Sequence, residues 1–293
     1  MPPAPKVALG AQAASPYLAP MTDLAAYFAR IGHDGPTAPT LDTLRALHER
    51  HPASIPFEAI DVLLDRGVDI SPAAVDAKLI DGRRGGYCFE HNSLFRRVLT
   101  ELGFEVTGLA ARVRWNQPDE APLQPRTHQV LRVELDGTSW LVDVGFGGAV
   151  MTAPLRLEPD TVQSTDHDDY RLVPIDPAQG GGLALQMRRD AGWIPVYDLS
   201  LTPCAPADYE MANWFTSTHP TSIFRNVVMV AKTAPDARHG LLFNRLSTRP
   251  RGGETTVATL DAPGIESALR DIFGLPVEPS WRPLIERAAA HEW

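Results

Sequence analysis

Apolar residues recur at helical spacing through the first hundred positions and then alternate with polar ones over much of the remaining chain. Leu24, Tyr27, Phe28 and Ile31 form one stripe, opened by Thr22 and closed by Gly32. Leu41, Leu44 and Leu47 repeat it behind a candidate cap, Thr40. Ser71-Pro72 joins an N-cap to a proline at the first helical position and starts a third helix running toward Ile80. A fourth begins near Cys88, buries Leu94, Phe95, Val98, Leu99 and Leu102, and ends at Gly103.

From Phe104 the pattern is one of strands. The clearest pair is His128–Leu135 and Thr138–Val144 around Asp136-Gly137, the preferred two-residue hairpin turn. With those two residues as the turn, Leu135 faces Thr138, Val130 faces Asp143 and His128 faces Gly145. His128 and Asp143 become diagonal neighbours on one face, within reach of each other. Leu131, Val133, Leu135, Trp140, Val142 and Val144 make a core face on the other, and Gly145 leaves room beside the His128 ring. Further strand-like runs lie near Leu183–Arg188 and Trp193–Leu199. The last third holds a Trp/Phe-rich segment (Trp214–Val230), a hairpin-like stretch near Leu241–Leu260 and a final helix near Ile265–Phe273.

A chain of 293 residues, 44% hydrophobic and 22% charged, has the make-up of a globular protein with a substantial core, which excludes a disordered chain, a coiled coil and a collagen-like repeat. Its 27 prolines imply many turns and edges. With 27 basic and 36 acidic residues the net charge is −9, poorly suited to nucleic acid, and no run approaches the roughly 20 apolar residues of a membrane span. Near the N-terminus, Pro2, Pro3, Pro5, Pro16 and Pro20 interrupt the apolar residues, so residues 1–20 read as a flexible arm rather than a signal peptide. Cys88 and Cys204 cannot build a disulfide scaffold, which points to the reducing cytoplasm.

The segment Arg83-Arg84-Gly85-Gly86-Tyr87-Cys88-Phe89-Glu90-His91-Asn92 carries the candidate chemistry. Two glycines let the backbone turn tightly. Cys88 then stands in the first turn of a helix, where free amides and the macrodipole favour a thiolate. Cysteine, histidine and aspartate in that order are the parts of a nucleophile–base–orienting-acid triad: Cys88, His128 and Asp143. A Cys hydrolase, an amide-forming acyltransferase and a catalytically silent binding protein on the same fold all accommodate these parts. Cys88-x-x-His91 lacks the second ligand pair of a zinc site, and no metal or bound cofactor is expected. Glu90 and His91 read as helix-surface residues or supports behind the site. His167-Asp168-Asp169 reads as a solvated loop, Cys204 as a small buried residue, and Arg249, Arg251 and Gly252-Gly253 as a turn. Arg84 supports its loop or pairs with an acid.

Arg84 to Asn92, Thr127-His128 and Trp140 to Gly147 together resemble the arylamine N-acetyltransferase family. Ile55-Pro56-Phe57-Glu58, Ser217 to Phe224 and Ile272-Phe273-Gly274-Leu275 are similar as well, so the likeness spans residues 20 to 275 in order. It departs at Ala59-Ile60, where the family more often has Asn-Leu, in the N-terminal arm and in the loop Asn116–Pro125. The resemblance implies an α+β fold: a helical bundle bearing the nucleophile (21–104), a central β-barrel bearing His128 and Asp143 (105–207) and a C-terminal α/β lid (208–293), around a papain-like Cys-His-Asp site. It implies ping-pong transfer of an acetyl group from acetyl-CoA, as substrate, to arylamines, arylhydrazines or arylhydroxylamines. It further implies substrate contacts at Phe57, Tyr87, Phe89, Thr127, Gly145, Phe146, Gly147 and Phe224, with Ser217 to Ser222 either a turn or an aid to CoA binding.

Overall fold

Helix α1 (Leu24–Ile31) starts one residue later than expected: Asp23, not Thr22, caps it, its carboxylate accepting the Ala26 amide at 3.0 Å. Both residue types cap well, so the pattern alone does not separate them. Thr22 is instead tied to the far helix, its amide donating to Glu101 and its hydroxyl accepting from Arg97. The computed structural model describes residues 22–118, 121–190 and 192–293; the expected arm, 1–20, lies outside them, as do two positions of the 116–125 loop.

Helix α2 (Leu41–Ser54) is capped by Thr40 and leads through Pro56 into a two-residue strand, β1 (Phe57–Glu58). A single turn, α3 (Ile60–Leu63), comes next. Helix α4 (Pro72–Asp76) begins behind Ser71, whose side chain makes no cap bond, and widens into a π-turn over Ala77–Asp81. Helix α5 (Cys88–Glu101) then presents Leu94, Phe95, Val98 and Leu99 to the core, and Gly103 at φ +90° releases the chain.

The central antiparallel sheet has eight strands: β2 (Glu105–Val113), β3 (His128–Leu135), β4 (Thr138–Val142), β5 (Leu155–Arg156), β6 (Gln163–Ser164), β7 (Asp169–Pro174), β8 (Leu183–Arg189) and β9 (Gly192–Leu199). Their order is β5-β4-β3-β2-β9-β8-β7-β6. The Gln163 side-chain amide bonds both the N–H and the carbonyl of Arg156, at 2.7 and 2.9 Å, and so joins the two edge strands into a nearly closed barrel. The β3–β4 register is the expected one, with Leu135 opposite Thr138 and Leu131 opposite Val142, around Asp136 and Gly137 at positive φ. Pairing stops at Val142, two residues short of the expected strand end. Leu131, Val133, Trp140, Val142 and Val144 pack on Tyr27, Leu44, Leu47 and Phe95 of the helices. The opposite face sends Val130 and Leu141 into the barrel against Tyr170, Leu185 and Tyr197.

Helices α6 (Pro206–Thr218) and α7 (Ile223–Asn226) precede β10 (Met229–Thr233), β11 (Ala237–Leu242), β12 (Arg245–Pro250) and β13 (Thr256–Thr259). These four strands form a sheet with β1 at its edge, Phe57 opposite Ala231, so the N-terminal third lends a strand to the C-terminal unit. The late helix begins earlier than expected, as α8 (Ala262–Ser267) behind the Asp261 cap, and runs on as a π-turn to Ile272. A further helix, α9 (Arg282–Ala289), docks Leu284 and Ile285 beside Trp281 and Phe273. Among the described residues no helix is long and apolar enough to cross a membrane.

Asp168 is not in a solvated loop. It is buried, with Arg238 Nε at 2.9 Å and Arg249 Nη2 at 2.7 Å. Burial alone would raise its carboxyl, but the arginines hold it below the ordinary value. Arg249 accordingly belongs to β12, and the turn comes at Arg251-Gly252-Gly253. Cys204 is half-buried rather than buried. Replacing Asp168 with Ala strands two arginines between the barrel and the C-terminal sheet. Urea unfolding should show a loss of about 3 kcal/mol; a loss below about 1 kcal/mol would mean the arginines find other partners.

Candidate active site

The loop before Cys88 fits only because two of its residues have no side chain. A Cβ on Gly85 would collide with the Pro56 carbonyl oxygen, and one on Gly86 would lie 2.7 Å from Glu90 Oε2. The loop therefore lies flat against β1, the Glu58 amide donating to Gly86 O at 2.8 Å. Arg84 reaches Glu58 at 2.8 Å and Asp61 at 3.1 Å and stacks over Trp281 at 4.7 Å. Glu90 accepts the Tyr87 amide at 3.0 Å and Lys78 Nζ at 2.7 Å, and so ends the loop and opens α5. Glu90 and His91 are both buried, not on the helix surface. Burial raises the Glu90 carboxyl, and Lys78 opposes that rise.

Cys88 Sγ lies 3.6 Å from Thr127 O. Across from it, His128 donates from Nε2 to Asp143 Oδ2 at 2.7 Å, which leaves Nδ1 as the nitrogen for the thiol. All three side chains are almost wholly buried. Burial disfavours an imidazolium, but the Asp143 charge, its hydrogen bond and the neighbouring Cys88 outweigh it and lift His128 to about 10. Asp143 is held below the ordinary carboxylate value: burial raises it, while His128, Asn92 and the Gly145 amide lower it.

Where the strand pairing stops, side chains take over the backbone donors. Asp143 N donates to His48 Nε2 at 3.3 Å, Val144 N to Asn92 Oδ1 at 3.1 Å and Gly145 N to Asp143 Oδ1 at 2.9 Å. Asn92 Nδ2 also donates to Asp143 Oδ1 at 2.9 Å and Gln129 O at 2.7 Å. Gly145 is expected to leave room beside the His128 ring; the space its side chain would take is occupied by α5 instead. A Cβ there would lie 2.9 Å from Cys88 Cα and 3.0 Å from Asn92 Nδ2. Glycine brings helix α5 against the strand end.

Sequence reasoning assigns no role to Asn92 or His48. Asn92 sits one turn beyond Cys88 (i+4), the spacing at which two helix residues share a face. His48 and His51 continue the Leu44/Leu47 stripe, but as polar residues they do not register as core. A second chain of hydrogen bonds starts from His51. Pro56 O can only accept, so His91 donates from Nε2 at 3.2 Å. His91 Nδ1 therefore accepts from His51 Nε2 at 2.9 Å, and His51 Nδ1 from the Tyr27 hydroxyl at 2.8 Å. Burial pushes His91 down to about 4 and His51 well below the ordinary value, so both are neutral.

The aromatic residues fall into two groups. Tyr87 and Phe89 are fully buried and hold α6, Tyr87 bonding Asn213 and Phe89 packing against Tyr209. Phe57, Phe146 and Phe224 are only partly buried, as is the non-aromatic Thr127. Phe57 and Phe224 lie 5.9 Å apart, and Phe146 meets His128 edge-on at 5.1 Å. Gly147 is buried at φ +78°, where a Cβ would lie 3.1 Å from the Phe57 ring. Ser217 and Ser222 bond backbone carbonyls of α6. Among the described residues no group of three or more His, Cys, Asp or Glu side chains is placed to hold a metal ion.

Comparison with known proteins gives one answer. Residues 40–282 match the family described as N-acetyltransferase. The arylamine N-acetyltransferase of Mycolicibacterium smegmatis is 43% identical over 256 residues, covering 86% of this chain and 92% of that protein. That of Mycobacterium tuberculosis is 44% identical over 260 residues, covering 87% and 90%. The structure of the Mycobacterium marinum arylamine N-acetyltransferase in complex with CoA matches at TM-score 0.85 and 44% identity, covering 91% of this chain and 98% of that one.

The His128–Asp143 pair should leave a signature in stability against pH. His128 is raised on folding, so its contribution is complete below its unfolded value of about 6.5 and is lost as pH climbs toward 10. Asp143 is lowered, so its contribution holds above about 3.8 and disappears as pH falls through the folded value. Urea unfolding from about pH 6.5 to about pH 10 should show wild type losing its advantage over Asp143→Asn across that window. A constant difference would deny the charged pair.

Proposed function

The chain belongs to the arylamine N-acetyltransferase family, and we propose that it acetylates arylamines and arylhydrazines from acetyl-CoA through an acetyl-Cys88 intermediate. O-acetylation of arylhydroxylamines lies within the same chemistry. The observation that carries the reading is a helix-start cysteine beside a histidine whose far nitrogen bonds a buried carboxylate at 2.7 Å.

In the first half-reaction the Cys88 proton is held on His128 Nδ1, as part of the imidazolium, and the thiolate attacks the thioester carbonyl. The tetrahedral adduct expels CoA as a thiolate, which recovers the proton from the imidazolium. Thioester is exchanged for thioester, so the step is nearly balanced and reversible. In the second half the amine nitrogen attacks acetyl-Cys88. His128 removes a proton from that nitrogen as Cys88 departs as a thiolate, and an amide and the starting Cys88–imidazolium pair result. An arylamine suits this step, since it is weakly basic and carries its lone pair at neutral pH. Sulfur suits it too, because a thioester surrenders its acyl group to nitrogen more readily than a serine ester would.

Asp143 acts by keeping Nε2 protonated and stabilising the imidazolium. Phe57, Phe146 and Phe224 supply the partly buried aromatic walls of the acyl and acceptor pocket, with Thr127, Gly145 and Gly147 as its backbone lining and Tyr87 and Phe89 behind. The two free cysteines fit the reducing cytoplasm.

Intact-mass measurement after incubation with acetyl-CoA alone should find one acetyl group on the wild type, none on Cys88→Ala, and its discharge by an arylamine. Cys88→Ser should lose transfer activity by a factor on the order of 10³ or more. Thiol release without an adduct would indicate a hydrolase, and near-normal turnover by Cys88→Ser would remove the nucleophile assignment.

A further inference from the structure

His48 is fully buried, yet it has no place in the acetyl-transfer steps. It lies on α2, edge-on to Phe95 with ring centroids 6.1 Å apart, and receives the Asp143 amide at Nε2. That bond fixes the tautomer, because a backbone N–H can only donate. Nε2 carries the lone pair and Nδ1 the proton, and Nδ1 has no hydrogen-bond partner among the described residues. A buried N–H left unpaired is costly, and an apolar side chain would avoid it. The compensating feature is the acceptor on the other side of the ring.

The Asp143 amide needs that acceptor. In the β3–β4 register the Asp143 amide points away from β3, toward the β5 side, and the β4–β5 pairing stops at Leu141 and Leu155. Gln129 O on β3 is taken by Asn92. The next two donors, Val144 N and Gly145 N, are held by Asn92 and by Asp143's own carboxylate. His48 is thus the partner from α2 that fixes the start of this turn, while Asn92 fixes it from α5.

We propose that His48 is a positioning residue of the triad: its Nε2 lone pair holds the Asp143 backbone so that the carboxylate stays aligned on His128. The proposal rests on the triad reading above. The direction of His48's own titration agrees with it: burial lowers it to about 4, the Asp143 charge only partly opposing, so the ring is neutral and an acceptor at neutral pH. His51, one turn along α2, is likewise neutral and adds no charge.

The test compares His48→Leu, which removes the acceptor, with His48→Gln, whose side-chain oxygen reaches the position of Nε2. Two readouts are taken: steady-state kinetics with acetyl-CoA and an arylamine, and the rate of Cys88 alkylation by iodoacetamide at neutral pH. The second does not depend on acyl transfer, so it separates failure of this proposal from failure of the functional reading. Loosening the triad should lower kcat and slow alkylation about tenfold in His48→Leu, with the acceptor KM within about twofold and most of both rates recovered in His48→Gln. If His48→Leu does not fold, His48→Asn replaces it, its amide oxygen stopping short at the Nδ1 position, with the same expectation. A folded Leu or Asn variant with wild-type kcat and alkylation would overturn the proposal. So would equal impairment of His48→Gln, since the acceptor would then not be what matters.

Discussion

A buried carboxylate cannot be held by a single histidine. Asp143 is out of water, and its charge is tolerated because His128, Asn92 and the Gly145 amide all donate to it. The end of β4 supplies this arrangement. Once the ladders to β3 and β5 stop at Val142 and Leu141, three consecutive amides need new acceptors, and side chains provide them. Helices α2 and α5 are therefore bonded to the strand end that carries the acid. Helix α5 is locked to the same point, because Gly145 lets Cys88 Cα approach closer than any side chain would permit. The candidate nucleophile, base and acid are thereby tied to one strand end.

The hairpin is the most legible part of the sequence. Alternation and Asp-Gly set the register and put His128 and Asp143 within reach. The same reasoning misjudges Gly145: a missing side chain can make room for a neighbouring ring or for a whole helix, and pairing geometry within two strands cannot tell which. Asp23 displaces Thr22 for the same reason, since one local pattern fits two residues. The helical stripe of α2 reads as ending at Leu47 because His48 and His51 are polar, although both are fully buried by tertiary hydrogen bonds.

Long-range constraints are illegible for a different reason. Phe57-Glu58 is too short to show strand periodicity and becomes β1 only by pairing with residues far along the chain. Asp168 reads as part of a polar loop because its partners, Arg238 and Arg249, belong to strands many residues later. Arg84 is expected to support its loop or meet an acid. It meets Glu58 and Asp61, with Trp281 beneath it, so the loop before Cys88 is fastened to the C-terminal segment as well. What a sequence shows locally is the residue types and their spacing; which distant side chain neutralises a buried charge is set by the fold.

The central claim is that Asp143 keeps His128 charged in a buried site while the other histidines beneath it stay neutral. Nitrogen NMR of histidine-labelled protein at about pH 8, well above the ordinary imidazole value, tests this directly. The account predicts an imidazolium at His128 and neutral rings at His48, His51 and His91. A neutral His128 at that pH would contradict it.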